Sequence, residues 1–125
     1  MSVNKPTIVI VDDSSTVRVF FERAVAPLDV EVKMFASAND AFEYLETNKP
    51  ALLFLDIIMP EKDGLTFLQE LRRLPLHEDT PTVVISSKDY AQDRVAAKEL
   101  GVVEFVAKPM STKAIEELIV RYISS

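Results

Sequence analysis

Five short apolar segments alternate along the chain with five helical patterns, and this alternation limits the possible folds more than any other feature. The segments are rich in Val, Ile, Leu and Phe, which favour strands. The first, third and fourth are almost wholly apolar, as in strands buried on both faces of a parallel sheet. The second alternates apolar with charged residues, which predicts a half-exposed edge strand. The predicted strands are Thr7–Val11, Val30–Phe35, Ala51–Leu55, Thr82–Ser86 and Val102–Ala107.

The stretches between the strands carry apolar residues at helical spacing and begin near capping residues. Repeated strand–helix units predict a parallel sheet with right-handed crossovers and helices on both faces. The predicted helices are one capped by Ser14 or Ser15 and ended by Pro27, one after Ser37, one over about Leu65–Leu74, one over Asp89–Leu100 stopped by Gly101, and one after Ser111.

Composition narrows the functional classes. The chain has 125 residues, 48% of them hydrophobic and 27% charged, which predicts a single globular domain over residues 1–125. It has no cysteine, which excludes disulfides and thiolate metal sites. A net charge of −6 disfavours direct nucleic-acid binding. No stretch has the length of a membrane span or the pattern of a signal peptide, so we expect a cytoplasmic protein without membrane insertion.

Charged and hydroxyl side chains stand where the predicted strands end. Asp12 and Asp13 follow the first strand, Asp56 follows the third, Ser86 closes the fourth and Lys108 follows the fifth. Taken singly, such residues usually cap helices or face solvent. Ligands of parallel α/β sheets bind beyond the carboxyl ends of the strands, so all five should meet at one rim.

The charges of this set predict its chemistry. Two carboxylates about 5 Å apart repel by about 3 kcal/mol at an effective dielectric near 20. Asp12, Asp13, Asp56 and Lys108 together carry a formal charge of −2, which one divalent cation neutralises. Mg²⁺ suits such oxygen ligands, with Mn²⁺ as an alternative. Asp56 can then act as a nucleophile that forms an acyl phosphate, while the cation, Lys108 and the Ser86 hydroxyl contact the phosphoryl oxygens.

At these residues the chain resembles a response-regulator receiver domain of two-component signalling. The resemblance lies in the acidic pair, a D-x-x-M-P-x-x-D-G stretch from Asp56 to Gly64, the hydroxyl at Ser86 and the Lys108–Pro109 dipeptide. It covers essentially the whole chain, and "VDDSSTVR" is similar to single-domain regulators of the chemotaxis type. The family implies an α/β, flavodoxin-like, doubly wound sheet of five parallel strands in the order 2-1-3-4-5, with five helices.

The resemblance also implies a role for each matching residue. Asp56 would accept a phosphoryl group from a histidine kinase or phosphotransfer protein. Metal binding would involve Asp13 directly, Asp12 mainly through water, Asp56, and the backbone carbonyl of Ile58. The remaining implied features are a cis peptide between Lys108 and Pro109 and a conformational switch formed by Ser86 and Phe105. Ser86 and Phe105 stand where Thr and Tyr are frequent in the family.

The family further implies an output. Phosphorylation would shift the face formed by the fourth helix, fifth strand and fifth helix, and a downstream protein would bind it. Such a protein is a monomer or a phosphorylation-dependent dimer. It is not a conventional enzyme, although it promotes its own Mg²⁺-dependent phosphorylation and slow autodephosphorylation. We expect slow loss of the phosphoryl group because Ile58 and Lys88 cannot act as a base toward water.

Several other readings fit the sequence less well. A phosphatase of the haloacid dehalogenase type needs a general acid two residues after the nucleophile, where this chain has Ile58. A flavodoxin would have a Gly/Thr-rich loop after the first strand, where this chain has no glycine. A P-loop nucleotidase would have the glycine-rich motif G-x-x-x-x-G-K-[ST], which is absent from this sequence. The remaining alternative is a receiver-like interaction scaffold that phosphorylation does not regulate. His77, the sole histidine, is predicted to be a solvated loop residue.

Overall fold

The structure, a computed structural model, describes residues 5–123 and contains the predicted alternation of strands and helices. A short 3-10 helix, Pro75–His77, lies between α3 and β4. The elements in chain order are β1 (Thr7–Val11), α1 (Ser15–Val25), β2 (Glu31–Phe35), α2 (Ala38–Leu45), β3 (Leu52–Asp56), α3 (Gly64–Leu71), β4 (Thr82–Ser86), α4 (Ala91–Glu99), β5 (Glu104–Ala107) and α5 (Thr112–Ile123).

The five strands form one parallel sheet in the order β2-β1-β3-β4-β5. This order confirms the predicted flavodoxin-like topology. The central strands β3 and β4 are buried along their whole length. In the edge strand β2, Glu31 and Lys33 are exposed while Val32 and Met34 are half-buried, as the alternation predicts.

Each face of the sheet packs on its own hydrophobic core because successive strand residues point to opposite faces. Ile8 and Ile10 of β1 pack with apolar residues of α1 and α5. Val9 and Val11 pack with those of α2 and α3. By contrast, α4 buries only Ala97. The two-sided core fixes β1 and β3, the strands that carry the acidic residues.

Several boundaries differ from the predictions, three of them by two residues or more. The helix expected to reach Leu74 ends at Leu71, because Pro75 favours an extended conformation in the residue before it and starts the 3-10 helix. The fourth helix begins at Ala91, not Asp89, because Tyr90 is extended. Strand β5 begins at Glu104, not Val102. Gly101 stops α4 with a φ of 78°, as expected.

The prediction for His77 is wrong, since this side chain is fully buried. Its Nδ1 lies 2.8 Å from the Thr80 hydroxyl and its Nε2 lies 2.5 Å from the Leu45 carbonyl oxygen. A carbonyl can only accept, so Nε2 carries the proton and Nδ1 accepts from Thr80. The neighbouring guanidinium of Arg72 donates to the carbonyls of His77, Thr80 and Leu100. These bonds tie the ends of α2, α3 and α4 to the start of β4.

None of the helices within residues 5–123 combines the length and apolar character that crossing a membrane requires.

Candidate functional site

The carboxyl ends of β1, β3 and β5 bring two carboxylates and an ammonium into direct contact. Lys108 Nζ lies 3.0 Å from Asp12 Oδ2 and 3.3 Å from Asp56 Oδ1. The β1–β3 register pairs Val11 with Leu55, which places the following residues, Asp12 and Asp56, side by side. Both aspartates are buried, whereas the Lys108 side chain keeps 19% of its surface exposed.

Asp13 completes an acidic cluster at the same rim. One carboxylate oxygen from each of Asp12, Asp13 and Asp56 lies within 4.8 Å of the others. Asp13 is exposed, so the cluster opens to solvent on its side. The structure therefore brings together the four charged residues that the sequence assigned to one rim.

Burial and charge strongly affect the protonation of this cluster. Burial, followed by the repulsion of Asp12, raises the pKa of Asp56 from 3.8 to about 6, although Lys108 partly opposes the change. Burial disfavours the charged form of Lys108, but its interactions with Asp12 and Asp56 outweigh burial and raise its pKa. In the metal-free protein the negative charge on Asp56 is therefore unfavourable.

The donor set fits a hard divalent cation. Asp12 Oδ2 is buried, and among the described residues it faces only the Lys108 ammonium, 3.0 Å away, without another polar partner. Lys108 supplies one positive charge for the buried carboxylates of both Asp12 and Asp56, so a further cation would lower the cost of burying them. Three carboxylates at this spacing supply the oxygen ligands that Mg²⁺ or Mn²⁺ prefers.

Asp12 is held by four contacts, and the sequence analysis did not predict those with Phe35, Ser14 and Arg18. Its amide donates to the carbonyl oxygen of Phe35 at 3.0 Å, and its Oδ1 accepts from the Ser14 amide at 2.9 Å. Its backbone carbonyl accepts from Nη1 of Arg18 at 2.8 Å. With Lys108 on Oδ2, these contacts fix the acidic residue at the start of α1.

Gly64 allows α3 to start against the backbone of the Asp56 segment. A Cβ on Gly64 would lie 2.1 Å from the Asp56 carbonyl oxygen, a distance that no real side chain could occupy. The Gly64 amide donates to the Ile57 carbonyl at 2.7 Å, and Asp63 caps the helix. The D-G dipeptide of the sequence motif is therefore a close-packing requirement beside Asp56.

Ser86 lies fully buried at the end of β4. Its hydroxyl oxygen accepts a hydrogen bond from the Lys88 amide at 3.1 Å, and its carbonyl accepts one from the Lys108 amide at 2.8 Å. The β3–β4 register pairs Asp56 with Ile85, so Ser86 is one position beyond the residue that pairs with Asp56 on the adjacent strand. The Lys88 side chain is exposed.

Phe105 lies half-buried on β5 under a cation that the sequence reading did not identify. The Arg94 guanidinium of α4 stands 4.5 Å from the centroid of the Phe105 ring. The same guanidinium makes a two-pronged ion pair with Asp89, and its Nη2 lies 3.0 Å from Oδ2. Arg94 thus joins the loop after β4 to the ring on β5.

Two further predicted features stand beside the acidic cluster. The Lys108–Pro109 peptide is cis, as predicted. The Ile58 side chain is 48% exposed, two residues after Asp56. The role of the Ile58 carbonyl as a metal ligand stays a prediction.

Comparison with known proteins places this constellation in a family. The model of the response regulator receiver domain matches residues 8–120. The chain belongs to this family. It is therefore a receiver domain of the kind found in two-component response regulators, whose aspartate cluster binds a divalent metal, and Asp12, Asp13 and Asp56 form that cluster.

Individual relatives agree with this assignment. The chain is similar to the response regulator Rre1 of Synechocystis sp., at 31% identity over 114 residues, covering 90% of this chain and 49% of that protein. It is similar to the cyclic di-GMP phosphodiesterase response regulator RpfG of Xanthomonas campestris, at 39% identity over 105 residues, covering 82% of this chain and 28% of RpfG. The chain thus spans less than half the length of these relatives.

A solved structure shows the same fold. The CheY-like response regulator receiver domain protein of Methanospirillum hungatei superposes with a TM-score of 0.87, over 98% of this chain and 95% of that one, at 20% identity.

Proposed function

We propose that Asp56 is the phosphoacceptor of this receiver domain and that a histidine kinase or phosphotransfer protein is its donor. The observation that carries the proposal is the contact of Lys108 Nζ with both Asp12 and Asp56 beside the Asp13 carboxylate. Phosphoryl transfer requires a nucleophile, a fixed positive charge and a metal-binding site close together, and this edge of the sheet holds all three.

In the proposed reaction a carboxylate oxygen of Asp56 attacks phosphorus as the P–N bond of the donor phosphohistidine breaks. The donor imidazole leaves with the bonding electron pair. Lys108 neutralises charge on the transferred phosphoryl oxygens, and the Ser86 hydroxyl hydrogen-bonds one of them. Asp12, Asp13, Asp56 and the Ile58 carbonyl would hold a Mg²⁺ or Mn²⁺ ion, which would neutralise charge on the phosphoryl group. With its pKa raised to about 6, Asp56 is mostly, though not fully, ionised at neutral pH without the metal.

Access to the site supports a protein donor. A mostly apolar cavity of about 210 Å³ adjoins Lys108, between α1 and the segment after β5. Its lining includes Val17, Phe20 and Met110. Phe20 is itself partly exposed, so we propose that an apolar side chain of the donor protein packs here, beside Lys108.

Loss of the phosphoryl group should be slow, with a lifetime of minutes or longer on this chain alone. Hydrolysis needs a water held in line with the phosphorus–Asp56 bond. The half-exposed Ile58 side chain, two residues after Asp56, offers no hydrogen bond, and the exposed Lys88 side chain can only donate one. Installing Asn at Ile58 and Glu at Lys88 should speed decay of the purified phosphoprotein in Mg²⁺. A half-life of seconds, unaffected by both substitutions, would exclude these side chains as the cause.

Phosphorylation should be transmitted through Ser86 and Phe105 to the face of α4, β5 and α5. Movement of Ser86 toward the phosphoryl group would release the Lys88 amide and open space that the Phe105 ring can fill. This face exposes Tyr90, Val95 and Val120, which suit a downstream protein target or a phosphorylation-dependent second copy of a protein otherwise monomeric. The net charge of −6 of the whole chain disfavours nucleic acid as the direct partner.

The decisive experiment is labelling with acetyl phosphate in Mg²⁺, read by intact-mass spectrometry. The wild type should gain about 80 Da, the mass of one phosphoryl group, and Asp56→Asn should gain nothing. Chelation of the metal should abolish labelling, and the exposed Asp79→Asn variant is the matched control. Labelling that persists in Asp56→Asn would refute the assignment. A wild type that is never labelled would favour the alternative, a receiver-like scaffold not regulated by phosphorylation.

The proposed function bears on the cellular location of the protein and on its domain organisation. A histidine kinase donor places the domain in the cytoplasm. We also propose that the chain forms a single receiver domain, because both cores close within the residues described.

A further inference from the structure

We propose that Arg18 is a positioning residue that orients the Asp13 carboxylate toward the metal through the peptide group between Asp12 and Asp13. The inference rests on the proposed metal site and assigns to it a residue outside the acidic cluster. Arg18 lies on α1 and touches neither carboxylate group in the described contacts, so its effect must pass through the backbone.

The hydrogen bond from Arg18 to the Asp12 carbonyl lies just beyond the end of β1, where hydrogen bonds of the sheet no longer hold the backbone. Strand β1 ends at Val11, and the Asp12 amide makes the last bond to the neighbouring strand, to Phe35. The Asp12 carbonyl instead accepts from Arg18 Nη1 at 2.8 Å. A peptide group is planar, so fixing this carbonyl also fixes the amide nitrogen and Cα of Asp13.

Asp13 has no other anchor among residues 5–123. Asp12 and Asp56 are buried and each faces Lys108. Asp13 is exposed, and no hydrogen bond or ion pair joins its carboxylate to another side chain or backbone group in that range. The direction of this carboxylate is therefore set mainly by its own backbone, which Arg18 holds.

Charge and positioning predict opposite effects of removing Arg18. As a cation near three carboxylates, Arg18 repels a metal ion, and its loss by electrostatics alone would tighten metal binding. As a positioning residue, it keeps Asp13 in place, and its loss would weaken metal binding. The sign of the change in Kd therefore separates the two roles.

The test compares Arg18→Met with Arg23→Met. Methionine keeps a long stem without the donor, and the exposed Arg23 on the same helix gives the same change in net charge. Isothermal titration with Mg²⁺ should show a Kd about tenfold higher for Arg18→Met, the usual scale for losing a residue that supports a metal ligand. Arg23→Met should bind as the wild type or slightly more tightly. A Kd for Arg18→Met that is unchanged or lower would overturn the proposal.

A metal-free measurement keeps the inference separate from the proposed function. Loss of the hydrogen bond on the Asp12 carbonyl should move the amide ¹⁵N signal of Asp13 in Arg18→Met and leave it unmoved in Arg23→Met. A stationary Asp13 signal would refute the contact, whereas a wild type that binds no Mg²⁺ would refute the metal site. If Arg18→Met does not fold, Arg18→Lys takes its place. Lysine keeps the charge but reaches less far, so a Kd equal to that of the wild type would overturn the inference.

Discussion

Replacing Asp56 with Asn should stabilise the metal-free protein at neutral pH. Burial and the charge of Asp12 raise the Asp56 pKa from 3.8 to about 6 in the folded state. At 1.36 kcal/mol for each unit of pKa, ionised Asp56 costs about 3 kcal/mol of unfolding free energy. Asparagine has nearly the same shape and no charge, so the variant escapes most of this cost.

The sign of the pH dependence follows from the direction of the pKa. The folded protein holds the Asp56 proton more tightly than the unfolded chain, so the wild type is relatively stable below about pH 4. That stability is lost as the pH rises from about 4 through 6. The advantage of Asp56→Asn should therefore be nearly absent at pH 4 and complete near pH 7.5.

Urea unfolding in EDTA at both pH values tests this expectation, with Asp40→Asn as control, because Asp40 is exposed and forms no ion pair with the described residues. Saturating Mg²⁺ should raise the stability of the wild type more than that of Asp56→Asn, because the cation offsets the charge that only the wild type carries. Asp13→Asn should stabilise the metal-free protein in the same direction by less than about 1 kcal/mol, since Asp13 is exposed and screened. Equal stability of wild type and Asp56→Asn at pH 7.5, or a difference that does not vary with pH, would refute the reasoning.

Three other substitutions test features around and away from the site. Gly64→Ala should lower both the melting temperature and acetyl phosphate labelling, because its Cβ would lie 2.1 Å from the Asp56 carbonyl oxygen; normal labelling would contradict this. His77→Ala should cost about 2–3 kcal/mol in urea unfolding by leaving buried partners unsatisfied, yet spare the labelling rate. Arg94→Ala should move the Phe105 ring signals in NMR spectra, because the guanidinium lies over the ring. If Arg94 holds Phe105 in the unphosphorylated position, its loss should also speed labelling about two- to fivefold, the factor that corresponds to an exposed cation–π contact of about 0.5–1 kcal/mol. Unmoved ring signals would show that Arg94 does not hold the ring.

The order of elements was predictable from sequence because local composition and long-range packing agree. Strand β1 and strand β4 have the predicted bounds, since an apolar run ends directly at charged or hydroxyl residues. The errors fall where local pattern and tertiary contact compete. Val102 and Val103 look like strand residues, but their amides bond the carbonyls of Ala97 and Thr82, so the regular strand starts later.

The acidic cluster was predictable because parallel strands deliver their carboxyl ends to one edge. The supporting cations were not, because their contacts join positions whose distance in sequence has no fixed structural meaning. Arg72 reaches Leu100, 28 residues away, and Arg94 on α4 reaches Phe105 on β5, the next element. Arg18 is only six residues from Asp12, and an arginine early in the helix after an acidic pair was a usable signal. His77 was misplaced because a polar loop sequence gave no sign of a buried turn.

The structure indicates which element should move when Asp56 is modified. Ser86 is the last residue of β4, Lys108 follows β5, and the Lys108 amide donates to the Ser86 carbonyl at 2.8 Å. Strands β4 and β5 are paired along their length, so moving either strand would break several of the hydrogen bonds between them. Helix α4 buries only Ala97, and its Arg94 contacts to Asp89 and Phe105 are exposed or half-exposed. Because exposed ion pairs contribute little, shifting α4 costs far less than shifting β4 or β5. We therefore expect a phosphoryl group on Asp56 to be read mainly as a change in α4, while the strands that position the chemistry stay in place.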